Sequence, residues 1–249
     1  MKALIISDIH ANICALEAIW EQEKDSDIVY CAGDLVDCGP FPKETIAWMD
    51  AHRAVCVKGN HDQAAIAAWK KTRQPFFDGA GEGKRSWLEW NAAQLSEEEI
   101  AFLEQLPEKH VFEMDGIRYS MQHSYNGYAT IESRHQFEQF WTEQTGDRMG
   151  AEQDRPRRLL FGHTHYQAVH WLGDRELWLN PGSCSYRANR YRGERFVPDE
   201  PDKAAQYMTI TDGLIRFKRV PYNRRELLSA AMGGRLGEEY TEQAYLFFG

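Results

Sequence analysis

Five short apolar runs, each stopping at residues that can bind a divalent metal, constrain this chain more than any other feature. The runs lead in chain order to Asp8 and His10, to Asp34, to Asn60-His61-Asp62, to His123, and to His163 and His165. Nearly continuous apolar runs of this length suit strands that are buried on both faces. In open sheets flanked by helices, the ligand crevice lies beyond the carboxyl ends of the strands. We therefore expect all five clusters to converge on one crevice.

The order of predicted elements indicates an α/β fold. Strands alternate with a helix behind Asn12, a plausible N-cap, and with a second helix from about Pro42 to Asp50. Such alternation is typical of a parallel sheet with crossover helices. Tight hairpin turns are predicted at Asp115-Gly116, Gly173-Asp174 and Asp212-Gly213, and helical residues from about Asn223. We predict one domain over residues 1–249, with two mixed β-sheets packed as a sandwich and flanked by helices.

Residues 63 to about 108 interrupt this alternation, since they contain no convincing strand. We predict a helix from Ala64 to Lys71, a glycine-rich loop at 78–83, and helices around Trp87 and from Ser96. Ser96 is followed three residues later by a glutamate, the capping-box form that starts a helix. We interpret the segment as a helical insertion, or cap, over the crevice.

Composition excludes several classes of protein. The net charge of −9 argues against general binding to a nucleic-acid backbone, which usually requires a basic face. Five cysteines without a Cys-x-x-Cys spacing give no disulfide framework and fit a reducing cytoplasm. We find no secretory peptide at the N-terminus and no run of the roughly 20 apolar residues that a membrane span needs. The expected partner is a small molecule, and the oligomeric state stays open.

The residue clusters, taken in order, resemble a known family. Calcineurin-like metallophosphoesterases have five signature blocks, and the corresponding residues here are Asp8-x-His10, Gly33-Asp34, Gly59-Asn60-His61-Asp62, His123 and Gly162-His163-x-His165. The short chain, the Gly-Asn-His-Asp form and Asn180-Pro181-Gly182-Ser183 resemble the small bacterial phosphodiesterase group of that superfamily. The resemblance covers residues 8 to about 187. It implies hydrolysis of a phosphate ester by a metal-bound hydroxide at a dinuclear centre.

The resemblance also implies two ligand sets that share Asp34. One metal would be held by Asp8, His10, Asp34 and His165, and the other by Asp34, Asn60, His123 and His163. Imidazole mixed with carboxylate and carboxamide suits manganese, iron, nickel or zinc better than calcium or magnesium. We expect two divalent transition-metal ions per chain, manganese being favoured.

Three further residues receive roles from the resemblance. His61 would donate a proton to the leaving group or contact a phosphoryl oxygen, for which an imidazole is suited. Asp62 would orient the His61 ring by a hydrogen bond. Arg187 is a weaker candidate for a phosphate clamp, because its fork of donors matches phosphate geometry.

Several alternatives remain open at this stage. Any one motif alone has an ordinary explanation as a turn, a cap or a strand-end histidine. The chain could also be a phosphomonoesterase, a phosphoprotein phosphatase, or a metal-binding scaffold without turnover. A small phosphodiester or nucleotide is favoured because Cys38 stands where the second block of phosphoprotein phosphatases has an arginine. The tryptophans 69, 87 and 90 are expected to pack inside the protein; if Trp87 or Trp90 faced the crevice, a nucleobase would become a plausible substrate group.

Overall fold

The structure is a computed structural model that describes residues 1–73, 85–125, 130–148, 154–173, 175–191, 195–198, 203–234 and 236–249. The predicted glycine-rich loop at 78–83, and Asp174 of one predicted turn, lie outside these residues. For the hairpin at 188–198 only the backbone is described.

The described elements alternate strands and helices in the first third of the chain and become richer in strands toward the end. In chain order they are β1 (Lys2–Ile6), α1 (Ile13–Glu23), β2 (Ile28–Cys31), α2 (Pro42–Ala51), β3 (Val55–Cys56), α3 (Asn60–Thr72), α4 (Trp87–Gln94), α5 (Glu97–Gln105), β4 (Lys109–Met114), β5 (Ile117–Gln122), α6 (Arg134–Thr145), β6 (Arg157–Leu160), β7 (Gln167–Trp171), β8 (Glu176–Pro181), β9 (Ala188–Tyr191), β10 (Arg195–Pro198), β11 (Ala205–Thr211), β12 (Leu214–Val220), α7 (Arg224–Met232) and α8 (Glu238–Phe248). Among the residues in these ranges, no helix has both the length and the hydropathy needed to cross a membrane.

Two mixed five-stranded sheets form the body of the protein, as predicted. The first has the order β12-β11-β1-β2-β3, and the second has the order β4-β5-β6-β8-β7. Strands β1, β2 and β3 run parallel, whereas β11 pairs antiparallel with β1, Lys2 lying opposite Thr211. Strands β9 and β10 form a separate hairpin that the sequence did not suggest, because Ala-Asn-Arg-Tyr lacks apolar alternation.

The core between the sheets explains the apolar runs. Ile5 and Tyr30 of the first sheet belong to the same buried cluster as Met121, Leu160 and Leu179 of the second. Residues on the other face of the first sheet, such as Leu4 and Ile6, are equally buried, because helices pack over that face. Both faces of β1 are therefore apolar, and its polar groups appear only where the strand ends.

Helix boundaries follow the predicted caps with one correction. The Asn12 side chain accepts a hydrogen bond from Ala15 N–H at 3.0 Å, and Ser96 and Glu99 form the predicted capping box. Helix α3 begins at Asn60 rather than at Ala64. The residues that follow Gly59 therefore lie on the first turn of a helix rather than in a loop.

Helices α3 and α4 pack against other parts of the chain through their tryptophan side chains, as predicted. Trp87 is buried and lies beside Trp90 and Phe248, with ring centroids 5.6 and 6.4 Å away. Trp69 donates its indole N–H to the Leu95 carbonyl oxygen at 2.9 Å.

A buried carboxylate ties α1 to the first sheet. Glu23 is 1% exposed and lies 2.8 Å from Lys2 Nζ and 2.6 Å from Lys218 Nζ. Its Oε1 also accepts the Tyr207 hydroxyl at 2.9 Å. Burial opposes the charge of Glu23, but its bonds to the two lysines outweigh burial and hold the pKa of Glu23 below its usual range.

Candidate metal centre

The predicted ligands meet at the carboxyl ends of the strands. Asp8 and His10 follow β1, Asp34 follows β2, Asn60 opens α3 just after β3, His123 follows β5, and His163 and His165 follow β6. The clusters come from both sheets, and the sandwich brings them together.

Asp8, His10 and His165 form the first group of possible ligands, with donor atoms within 4.8 Å of one another. The Nε2 atoms of His10 and His165 lie 3.2 Å apart, and His165 Nε2 lies 3.3 Å from Asp8 Oδ1. Two ring nitrogens and a carboxylate oxygen thus face a common space.

Asp34, His123 and His163 form the second group. His123 Nε2 lies 3.1 Å from Asp34 Oδ2. Asn60 joins them, because its Oδ1 lies 3.0 Å from His123 Nε2 and 2.9 Å from His163 Nδ1. His163 therefore presents its Nδ1 atom to this group.

Asp34 lies between the two groups. Its Oδ2 is 3.1 Å from His123 Nε2 of the second group and 4.0 Å from His10 Nε2 of the first. Its Oδ1 accepts the His61 backbone N–H at 2.9 Å, which fixes the carboxylate. The geometry is that of a carboxylate that can serve both groups.

The donor spacing fits divalent ions. Metal–nitrogen and metal–oxygen bonds of about 2.0 to 2.1 Å place neighbouring donors about 2.8 to 3.4 Å apart in octahedral or tetrahedral geometry. The closest donor pairs here are 2.9 to 3.3 Å apart. His123 Nδ1 lies 2.7 Å from the Ala32 carbonyl oxygen and His165 Nδ1 lies 2.8 Å from that of Tyr186. Because a carbonyl only accepts, these bonds turn each Nε2 toward the groups.

Backbone strain is concentrated in the same loops. The residues Asp8, His10, Asp34, His163 and His165 all have positive φ, between 50° and 69°. Side chains other than glycine rarely adopt this region, and such residues persist only where the surroundings hold them. Gly59 is required for another reason, since a Cβ atom there would overlap the Asp34 carboxylate.

Charge pairing within the groups is strong. Burial would lower the pKa of His123, but the neighbouring Asp34 outweighs it and raises this pKa to about 9. Burial would raise the pKa of Asp34, whereas the charge and hydrogen bond of His123 hold it well below its usual range. A bound cation would take the place of the His123 proton.

His61 is oriented by Asp37 and not, as predicted, by Asp62. His61 Nδ1 lies 2.7 Å from Asp37 Oδ2. Burial would lower the pKa of His61, but its hydrogen bond to Asp37 and the nearby Asp34 raise it to about 12. The ring lies beside the first group, its centroid 4.8 Å from that of His10. Asp37 was missed because adjacency in sequence pointed to Asp62.

Asp62 instead holds the loop that carries Asp34. Its carboxylate accepts the backbone N–H groups of Asp34, Leu35 and Val36 at 2.8 to 3.2 Å, and that of Gly59 at 2.8 Å. Burial and the charge of Asp34 raise the pKa of Asp62 to about 6. Neighbouring residues at the start of a helix point in different directions, so Asp62 and His61 serve different partners.

Other residues support the loops that carry the candidate ligands. Asn180 donates to the Gly162 carbonyl oxygen at 2.7 Å, and the Ser183 hydroxyl donates to that of Asp8 at 2.9 Å. Tyr186, whose carbonyl orients His165, stacks on Phe247 of α8 with ring centroids 3.8 Å apart. The motif at 180–183 drew attention to Asn180 and Ser183 in the sequence, whereas no local pattern indicated that Tyr186 stacks on Phe247.

Arg187 is buried, and one of its Nη atoms donates to the Ala204 carbonyl oxygen at 2.9 Å. This contact anchors the arginine at the start of β11. Its suggested role as a phosphate clamp stays a prediction.

Cys38 lies at the edge of the first group, with Sγ and donor atoms of His10 and His61 within 4.8 Å of one another. Burial, and secondarily the charge of Asp37, raise the pKa of the Cys38 thiol to about 11.

Comparison with known proteins identifies the family. Residues 1–197 match the family model of the calcineurin-like phosphoesterase superfamily domain. The chain belongs to this superfamily. The resemblance inferred from the five sequence blocks is confirmed.

Relatives of this superfamily member include solved structures of the same fold. A metallophosphoesterase from Sphaerobacter thermophilus is 22% identical, with a TM-score of 0.71 and coverage of 99% of both chains. A hypothetical protein from Pyrococcus horikoshii is 15% identical, with a TM-score of 0.73 over 100% of this chain and 98% of that one. An uncharacterized protein of Methanocaldococcus jannaschii is 30% identical over 105 residues, which are 41% of each protein. The match thus spans less than half of that curated relative.

Proposed function

We propose that this protein is a dinuclear metal-dependent phosphodiesterase that hydrolyses a small phosphodiester or nucleotide-type substrate. The observation that carries the proposal is the arrangement of two donor groups on either side of Asp34, beside a histidine paired with a carboxylate. Proteins of this superfamily hydrolyse phosphate esters with divalent metal ions.

The proposed chemistry divides between ions and side chains. The ions, when bound, would supply a nucleophile from water at neutral pH and positive charge around the phosphoryl oxygens. Asp8, His10 and His165 would hold one ion, Asn60, His123 and His163 the other, and Asp34 both. We favour manganese, with iron, nickel and zinc as alternatives, because the donors mix imidazole with oxygen.

His61 would act on the leaving group. Its Nδ1–H donates to Asp37, so Nε2–H is the proton that it would give to the departing oxygen. The bond to Asp37 favours the protonated ring and fixes its direction. The Asp62 side chain would contribute indirectly, through the position of the loop that carries Asp34.

Cys38 supports a diester rather than a monoester, because it stands where an arginine would bind the phosphoryl group. A monoester dianion presents more charge and more free oxygens to an arginine fork than a diester does. At the position of that arginine, this chain has a thiol beside His61, and a thiol offers no cationic fork. Arg187, which could have replaced the missing fork, has one Nη bound to a backbone carbonyl.

The remaining parts of the proposal concern access and location. The helical segment 63–108 would cap the crevice and disfavour a folded protein as substrate. We propose a cytoplasmic location, since all five cysteines are free thiols.

Metal analysis and substrate specificity test the proposal together. We expect two equivalents of divalent transition metal per chain after purification. We also expect kcat/KM to be higher for an aryl phosphodiester than for the matched monoester or a phosphopeptide. A monoester or phosphopeptide preference would assign the chain to the phosphatases. Tight metal retention without turnover on any ester would make it a metal-binding scaffold.

A further inference from the structure

We infer that Asn91, on helix α4, is a positioning residue for His61 and acts through Asp37. The inference rests on the proposed function, because it assigns part of the catalytic geometry to the helical segment 63–108. Asn91 lies 54 residues from Asp37 in sequence and is fully buried.

The Asn91 side chain holds the loop after Asp34 at two points. Its Oδ1 accepts the Asp37 backbone N–H at 3.0 Å. Its Nδ2 donates to the Gly39 carbonyl oxygen at 2.9 Å and to the Trp87 carbonyl oxygen of its own helix at 3.1 Å. One carboxamide thus binds the loop on both sides of Cys38 and fastens it to α4.

The loop needs such a clamp because its backbone is strained. Asp37 and Cys38 have φ of 72° and 57°, in the left-handed region that side chains other than glycine rarely adopt. Two consecutive residues of this kind persist only when the surrounding structure determines them. Asn91 binds the backbone of Asp37, the first of these two residues, and the backbone of Gly39, which follows the second.

The direction of the His61 ring depends on this loop. Asp37 Oδ1 accepts the Cys38 N–H at 2.8 Å, which leaves Oδ2 for His61 Nδ1 at 2.7 Å. The backbone of His61 is held separately, by Asp34. A shift of the loop would therefore turn the imidazole without displacing the residue from the start of α3.

The experiment is a double-mutant cycle with Asn91→Ala and His61→Ala, measured on aryl phosphodiesters with good and poor leaving groups. We expect Asn91→Ala to lower kcat/KM for a poor leaving group by about ten- to a hundredfold, as small misplacements of catalytic groups do. The loss should be smaller for nitrophenolate, and metal content should be unchanged. In the His61→Ala background, Asn91→Ala should change the rate less than about twofold, because residues acting through one another are not additive. Gln94→Ala, which removes a contact to Trp90 one turn along the same helix, is the matched control and should behave as wild type.

A second variant guards against misfolding of the first. Asn91→Thr offers a hydroxyl that can donate to the Trp87 carbonyl and accept from Asp37 N–H, so it should recover part of the loss. If Asn91→Ala does not fold, the same cycle is run with Asn91→Thr. Equal losses in both backgrounds, or a loss of bound metal that accounts for the rate, would overturn the inference.

A measurement without turnover separates this inference from the proposed function. The Nδ1 proton of His61, bonded to Asp37, should give a far-downfield proton resonance in the protein loaded with zinc, which is diamagnetic, and this resonance should be absent from His61→Ala. Its loss in Asn91→Ala, with retention in Gln94→Ala, supports the positioning role even if the substrate proves not to be a diester. An unchanged resonance in Asn91→Ala would refute that role, whatever the substrate.

Discussion

Replacing Asp37 by Asn tests the role of the His61 partner most directly. Each Asp37 oxygen has its own donor: Oδ1 accepts the Cys38 N–H at 2.8 Å and Oδ2 faces His61 Nδ1 at 2.7 Å. An asparagine has one acceptor oxygen and can serve only one of these donors. In either orientation of the amide, the other donor would face an NH₂ group.

The magnitude follows from the contact that is lost. A hydrogen bond to a charged group contributes about 1.5 to 3 kcal/mol, and Asp37 is 9% exposed at its side chain, so water replaces it poorly. If the loss appears in the transition state, about 1.4 kcal/mol corresponds to a factor of ten in rate. We therefore expect Asp37→Asn to lower kcat/KM for poor leaving groups by roughly ten- to 150-fold.

The assay compares a series of aryl phosphodiesters with leaving groups of different pKa, together with metal content. For Asp37→Asn, the rate should become more sensitive to the leaving group, and metal content should be retained. Asp62→Asn is the contrasting variant, because Asp62 holds the loop that carries Asp34. This substitution should lower metal affinity more than it changes the sensitivity of the rate to the leaving group. The reverse outcome, with leaving-group sensitivity changed by Asp62→Asn and not by Asp37→Asn, would refute the reasoning.

The remaining predictions concern the bridge, the proton donor and a buried ion pair. Asp34→Asn should lower the metal affinity of both sites together, by at least about tenfold each, as measured by calorimetric titration. If both sites of the variant stayed fully occupied, Asp34 would be only a turn residue. His61→Ala should retain its metal ions and lower the turnover of substrates with poor leaving groups by about 10²- to 10⁴-fold. An equal loss for substrates with good leaving groups would assign His61 to phosphoryl binding. Glu23→Gln should cost about 2 kcal/mol in denaturant unfolding at pH 7. The pKa of Glu23 in the folded protein is held below the unfolded value of about 4.3. The difference in unfolding free energy between wild type and Glu23→Gln should therefore be present above a pH of about 4.3 and shrink as the pH falls below it. A difference that does not change with pH would contradict this prediction.

The fold and the convergence of the candidate ligands were predictable, because both depend on the ends of strands. A buried parallel strand is apolar along its length, so Asp8 or His123 stands out where the run stops, and the sheet brings such ends together. The partner of His61 was not predictable in this way. Asp37 lies in the loop after β2 and His61 on the first turn of α3, and their contact depends on the left-handed turn at Asp37, which no local pattern indicates.

The contacts of Asn91 and Phe247 were hidden for a related reason. Both residues lie on helices far along the chain from the loops they support. The apolar pattern of a helix with one buried face is the same whether that face packs on ordinary core or on a loop that carries candidate ligands. Only the three-dimensional path brings Asn91 to Asp37, or Phe247 to Tyr186.

The antiparallel pairing of β11 with β1 has a consequence for where this protein can be divided. The family match ends at residue 197, before β11 begins at Ala205. A fragment cut at that boundary would leave one side of β1 as an open edge, with Ala3 to Ile5 unpaired on that side. Exposed, flat, apolar edges recruit strands from other molecules. We expect such a fragment to aggregate, so the unit that can be expressed, transplanted or fused to another protein must include β11 as well as the candidate metal ligands.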